Sequence, residues 1–289
     1  MRKFLLGLMG ALPCVVWAQD QPPMFATFDL ASKAVLNDPH DLAIGPDGNV
    51  YVADKFGSQI VVLDPETLEI LDRLGSGTLP GVHDISFDKN GRVVIAVTGA
   101  NAVAAYLDVS GIGEQPDQVF SAPRTEGALA HSNGNIYAMA SGIGVLAAIA
   151  DGQVIAATDG HLGAHDVAED LQGNIWVADT NAARLVKYSP DLTRLQVLND
   201  PKFGFFGPRY LDIDDFGRLV VADQDAHRIL LIDPDGPDGG TLVGVLGDGA
   251  PGIGPNKFDD PEGIAASGNR YFVSDSDNNR IVRYTVVLN

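Results

Sequence analysis

One cysteine stands among 289 residues, at position 14. A lone thiol forms no intrachain disulfide and no paired-thiolate metal site, so neither device holds this fold. Basic residues are scarce as well. Nineteen Lys and Arg face 38 Asp and Glu, for a net charge of −19. A surface this acidic repels nucleic acid and anionic lipid; it suits solubility, cations and basic partners. No stretch carries a long helical period, which excludes α/β alternatives. Nucleophile-elbow, phosphate-loop and HExxH motifs are missing, and with them the chemistries they carry.

The apolar run at residues 4–17 is broken by Pro13 and is too short for a membrane span. With Arg2 and Lys3 before it and Val16-Trp17-Ala18 after it, residues 1–18 read as a secretory signal. A lipoprotein anchor on Cys14 competes with this reading, but Pro13 occupies the place where such a signal wants a small residue. Export to a periplasm or to the outside is expected, without membrane insertion. Cleavage after Ala18 removes Arg2, Lys3 and Cys14 and takes the net charge to −21. Residues 19–23 read as a tether and residues 24–289 as one domain, expected to be a monomer.

What is present is a phrase that keeps returning. It reads PHDLAIGPDGNVYVAD from Pro39, GAHDVAEDLQGNIWVAD from Gly163, GPRYLDIDDFGRLVVAD from Gly207 and PEGIAASGNRYFVSD from Pro261. Six copies begin near His40, His83, Glu126, His165, Arg209 and Glu262, spaced 43, 43, 39, 44 and 53 residues apart. The last interval is lengthened by the loop at 248–257. Within a copy, as at 41–75, four short β-prone runs are separated by turns such as Pro46-Asp47-Gly48. Thirty-three glycines suit so many turns. Repeats of this length with four strands predict an all-β, six-bladed β-propeller of four-stranded antiparallel blades. The last copy has three strands, and one strand, residues 25–30, precedes the first copy. That N-terminal strand is expected to complete the last blade and close the ring.

The second strand of four copies ends in Asp, followed by a polar turn and a basic or polar residue before a hydrophobic one. The sets are Asp54 with Gln59-Ile60, Asp179 with Arg184-Leu185, Asp223 with Arg228-Ile229, and Asp275 with Arg280-Ile281. Copy two has Val97 at this position and copy three Ala140. The pattern resembles the NHL-repeat family of propellers, whose members serve as binding platforms and as enzymes. The recurring Asp is read as architectural, accepting backbone N–H bonds in the following turn and pairing with the Arg.

Function is expected where the copies differ. The residues opening the innermost strands meet at one mouth of the central channel: His40-Asp41, His83-Asp84, Glu126-Gly127, His165-Asp166, Arg209-Tyr210 and Glu262-Gly263. Three of the six histidines fall on this register, and His161 is placed on the same face. Imidazoles with a carboxylate suit a divalent ion, so His40, His83, His165 and Glu126 are the candidate metal ligands, with zinc favoured and calcium open. Alternation predicts that His and Asp of one pair do not both aim inward. The competing reading is a polar lining of a water-filled channel.

Two groups of propeller enzymes resemble parts of this ring. Peptidyl-hydroxyglycine amidating lyases place zinc histidines after proline, as in Pro39-His40, and use an Arg and a Tyr near the metal, as Arg209 and Tyr210 suggest. Gluconolactonase-type propellers open blades with Glu-Gly, as at Glu126 and Glu262, but their asparagine ligands have no match here. The resemblance implies a metal-dependent lyase or lactonase acting on a small polar molecule. Tyr210 or Glu262 would serve as general acid or base, and Arg209 would hold a carboxylate. The alternative is a non-catalytic propeller that binds a protein, peptide or glycan at the mouth. Among other features, Asp233, Asp235 and Asp238 read as a hairpin loop rather than a calcium site. Phe203, Phe205 and Phe206 read as packing under the mouth or as walling a pocket there.

Overall fold

The computed structural model describes residues 24–288. The expected signal and tether, 1–23, lie outside the described residues. Twenty-four strands form six separate four-stranded antiparallel sheets, arranged as the blades of a propeller. Their innermost strands are Pro39–Ile44, Val82–Phe87, Thr125–Ala130, Asp166–Glu169, Pro208–Ile213 and Pro261–Ser267. The N-terminal strand Met24–Ala31 pairs antiparallel with Arg280–Leu288, from Met24 opposite Leu288 to Ala31 opposite Val282. It is therefore the outer strand of blade six, and the ring closes as strand counting predicts. No helix among the described residues is long and apolar enough to cross a membrane.

Each blade is sandwiched between two others, so both faces of its middle strands are covered. That is why Val50–Asp54 is apolar without alternation: Val50 and Val52 pack toward blade six, Tyr51 and Ala53 toward blade two. Six apolar clusters result, one in each gap between neighbouring blades. Trp176 fills the gap between blades four and five, in the core as its position implies.

The recurring Asp is architectural, with one correction. Its backbone donors come from the connection that leads into its blade, not from the turn that follows. Asp223 accepts from the N–H groups of Phe206 and Gly207, both at 2.8 Å, and from Arg228 Nε at 2.9 Å. Asp275 accepts from Asp259 N–H and Arg280 Nε, each at 2.7 Å. Asp54 accepts from Asn37 N–H and the Gln59 amide. The carboxylate thus clamps the incoming chain to the end of the second strand and the start of the third.

Candidate functional site

The first strands do not enter their sheets regularly. In blade one, Pro39 pairs with Asp54 and Leu42 with Val52, so one extra residue is accommodated between them. The same shift falls at His83, Glu126, Arg209 and around Glu262 in blades two, three, five and six. A β-bulge breaks side-chain alternation and re-aims the residues around it. Contrary to the alternation rule, the mouth residue and the residue after it therefore both face the channel. The His40 and His83 rings approach to 4.4 Å between centroids. One layer deeper, Asp41, Asp84 and Asp166 line a single cavity of about 270 Å³. This cavity runs along the channel toward the other ends of the inner strands, past Ser86, Glu169 and Asp212.

The deeper carboxyls also have structural work. The innermost strands present an unpaired edge, and its N–H groups need acceptors. Asp166 accepts from Leu211 N–H at 2.8 Å, Asp212 from Ala266 N–H at 2.7 Å, Ser86 Oγ from Ala130 N–H at 2.8 Å and Asp84 from Ala128 N–H. Burial raises the Asp84 carboxyl to about 7. Burial and the Asp84 charge raise Asp41 and Asp166 as well. Where the copies read Glu-Gly, the neighbouring blade leaves no room for a side chain. A Cβ on Gly127 would stand 2.4 Å from the His165 carbonyl oxygen, and one on Gly263 2.4 Å from that of His40.

At the mouth, the three histidines differ. His40 is fully buried with a carboxylate at each nitrogen: Asp38 Oδ2 lies 3.3 Å from Nε2, and Glu262 Oε2 touches Nδ1. Burial opposes a charge there, but the Glu262 and Asp38 carboxylates prevail, and the His40 pKa is raised. His83 goes the other way. Burial and the charge of His40 lower it to about 4, so it is neutral at pH 7. Its Nδ1 donates to the Gly81 carbonyl at 2.7 Å, which leaves the Nε2 lone pair free. His165 Nδ1 lies 2.8 Å from Thr180 Oγ1, whose own proton goes to the Pro208 carbonyl at 2.8 Å. Thr180 must then accept from Nδ1, which turns His165 Nε2 toward Glu126. Both Nε2 atoms face Glu126 Oε2, at 3.7 Å from His83 and 3.1 Å from His165. Against its burial, the neighbouring side chains, Arg209 among them, hold the Glu126 carboxyl down at about 2.

Two segments, residues 36–63 and 258–284, match the NHL repeat family, and they cover most of blade one and of blade six. This chain is a six-bladed propeller with NHL repeats matched in blades one and six. No curated protein matches it in sequence. Among solved structures, it is similar to virginiamycin B lyase from Staphylococcus aureus at 13% identity, with 92% of this chain and 99% of that one covered and a TM-score of 0.62. It is similar to the PQQ-bound aldose sugar dehydrogenase from Streptomyces coelicolor at 15% identity, covering 92% and 100%, with a TM-score of 0.61. An auxiliary nutrient binding protein from Bacteroides thetaiotaomicron shares 15% identity over 93% of this chain and 79% of its own, with a TM-score of 0.67. At these identities the likeness is one of fold.

In this propeller the residues expected at the mouth are gathered there, in distinct roles. Asp38, His40 and Glu262 offer ligand atoms all within 4.8 Å of one another. That trio is better read as a buried ion pair, because a histidine flanked by two carboxylates keeps both its protons. Arg209 is held at its Nη1 by Gln224 at 2.6 Å, with Nε 3.5 Å from Glu262. Gln224 also donates to Glu262 at 2.8 Å and to Asp260 at 2.7 Å. Tyr210 is one layer down and fully buried, its hydroxyl donating across the channel to the His83 carbonyl at 3.3 Å. Burial, reinforced by the Glu262 and Glu126 charges, raises its pKa well above the ordinary value, and its hydroxyl braces His83. His161 is not on the channel. It is buried between Asp179 and Tyr188, 3.1 and 2.7 Å away. Phe203 is buried and stacks on Phe205, while Phe206 is exposed.

Sequence reasoning missed Asp38, Gln224 and Thr180. The last had a signal. The residue after the recurring Asp, or after its stand-in, is Thr98, Thr180 and Ser276 in blades two, four and six. Each hydroxyl donates to the carbonyl just before the next blade's mouth residue, on Thr125, Pro208 and Pro39.

Proposed function

We propose that the mouth of this NHL propeller binds a divalent ion and a small ligand, and that it supports lyase or lactone-hydrolysing chemistry. One observation carries the reading. The His83 and His165 Nε2 atoms lie 3.7 and 3.1 Å from Glu126 Oε2, a carboxylate oxygen buried without a hydrogen-bond partner. With Nδ1 of each ring donating to Gly81 and Thr180, a cation between them, a shared proton or a metal ion, would reconcile the three acceptors. The metal reading is favoured by the outer partners, since Gly81 and Thr180 orient each ring through Nδ1 as metal-bound histidines require. Nitrogen and carboxylate donors suit zinc.

His83, His165 and Glu126 would hold the ion. His40, committed to Asp38 and Glu262, would stand beside it as a fixed positive charge. A divalent ion at this place supplies a Lewis acid for a carbonyl or hydroxyl oxygen of the ligand. Arg209, whose side chain is 20% exposed, holds and orients an anionic group of that ligand. Propellers of similar fold include a lyase and a dehydrogenase, which fits an enzymatic role for such a mouth. Zinc titration calorimetry on chelator-treated protein tests the ligand set. Wild type is expected to bind, and Glu126→Gln and His165→Ala to lose binding by about 100-fold or more. Equal zinc affinity in all three proteins would refute this set.

A further inference from the structure

The six gaps between blades are not filled alike. Five hold at least one buried aromatic ring, such as Tyr51 and Tyr106 between blades one and two, or Trp176 and Phe203 between blades four and five. The gap between blades two and three holds none. Alanines stand there instead, at positions 96 and 105 on blade two and 128, 130, 138 and 140 on blade three. Side chains this small leave the outer rim of the gap unfilled. A groove of about 370 Å³ opens there, walled by Phe120, Val145, Ala147, Ile149 and Val154. Ile143 closes its upper end, in the turn that follows Ala140 on the mouth face. Below it, a second cavity of about 190 Å³ shares Phe120, Ile149 and Gly152 with the groove and ends among Arg92, Asp117 and Asp151. Together they form one trough along the rim, apolar above, with two carboxylates to one guanidinium below.

The trough runs beside a free sheet edge. Gln153–Thr158 is the outermost strand of blade three and pairs on one side only, with Val145–Ala150. Charged side chains commonly guard such edges. The outer strands of blades one, four and six follow that rule, with Asp72 and Arg73, Arg194, and Asp29. Gln153–Thr158 carries no charge, and its Val154 and Ile155 are 64% and 57% exposed. Exposed Asp151 and Asp159 stand at its two ends. A second copy of this chain fits poorly. Pairing the strand with itself about a two-fold axis would bring Asp151 of each copy beside Asp159 of the other, between two bodies of net charge −19. A basic partner meets neither obstacle. We propose that an extended segment of another polypeptide adds to this edge as a fifth strand. Its alternate aliphatic side chains lie over the groove, and a basic residue at one end meets Asp117 and Asp151. The site lies on the outer rim and is independent of any ion at the mouth.

Selection from a phage-displayed library of random peptides about eight residues long tests the proposal on the purified protein, with fluorescence anisotropy on the peptides it enriches. Enriched peptides should place aliphatic residues at alternate positions and Lys or Arg at one end. An Ile143→Ser/Val154→Ser variant, changed only at exposed positions, should bind them about tenfold or more weakly. N-methylation of one alternate set of backbone nitrogens should cost about as much, because it removes the donors to the edge. Asp151→Asn should weaken binding by about two- to fivefold and flatten its salt dependence. A library without enrichment overturns the proposal, as do peptides that bind the double variant as tightly as wild type. Full affinity after N-methylation of each alternate set in turn overturns strand addition. Sedimentation velocity that finds a wild-type dimer, abolished in the double variant, would assign the edge to a second copy and overturn the foreign partner.

Discussion

Thr180 spends its only hydroxyl proton on the Pro208 carbonyl, and this leaves its oxygen to accept from His165 Nδ1. The tautomer of His165 therefore depends on a residue from another strand that never faces the ligand. Thr180→Val should weaken zinc binding by about 10- to 100-fold, and Thr180→Ser, which keeps the hydroxyl, should restore it. Calorimetry on the two variants checks this, and wild-type affinity in Thr180→Val would remove the role. Asp212 makes a different prediction. Its carboxyl is raised to about 6, by burial first, although it accepts from Ala266 and Ile213 N–H. A folded-state value above the unfolded one means the protonated form is favoured on folding. That contribution is full below about pH 4 and is lost as the pH rises through 6. Asp212→Asn keeps an acceptor without the charge. It should be more stable than wild type by on the order of 1 kcal/mol at pH 7.5, with the gain gone below pH 4. Urea unfolding across that range reads the difference; a gain independent of pH would contradict it.

Among the elements, the connection between blades is pinned by the recurring Asp. Asp223 gathers two backbone N–H groups from the incoming chain and the Arg228 guanidinium, all at its fully buried carboxylate. Asp223→Ala strands all three donors and should cost about 3 kcal/mol or more in denaturant unfolding. A loss under 1 kcal/mol would show that the clamp is dispensable. The recurring Asp was plain in the sequence, yet the source of its donors was not, because they lie sixteen or seventeen residues upstream, before the blade's first strand. The bulges were hidden too. Pairing register depends on which residues hydrogen-bond across the sheet, and alternation along PHDLAI gives no sign that His40 and Asp41 share a side. The glycines of Glu126-Gly127 and Glu262-Gly263 were visible, but not the carbonyls of the next blade that require them.

At the scale of the molecule, periodicity revealed nearly everything about the fold: six copies, four strands each, and an N-terminal strand left over to close the ring. Register also brought His40, His83, Glu126, His165, Arg209 and Glu262 to one mouth. What periodicity could not supply is the division of labour among the histidines. His40 is pushed toward its charged form because blade six delivers Glu262 to one nitrogen and the preceding connection delivers Asp38 to the other. His83 and His165 stay open because backbone and hydroxyl groups, rather than carboxylates, meet their Nδ1 atoms. Those partners come from sequence-distant parts and appear only once the ring is closed. The central claim is that this division leaves a place for a divalent ion between His83, His165 and Glu126. Elemental mass spectrometry on protein purified without a histidine tag, wild type beside His83→Ala, tests it most directly. The account predicts about one equivalent of zinc or another divalent ion in wild type and little in the variant. No metal in either protein, even after incubation with zinc and calcium, would contradict it and leave the mouth a proton-bridged polar ring that binds without a metal.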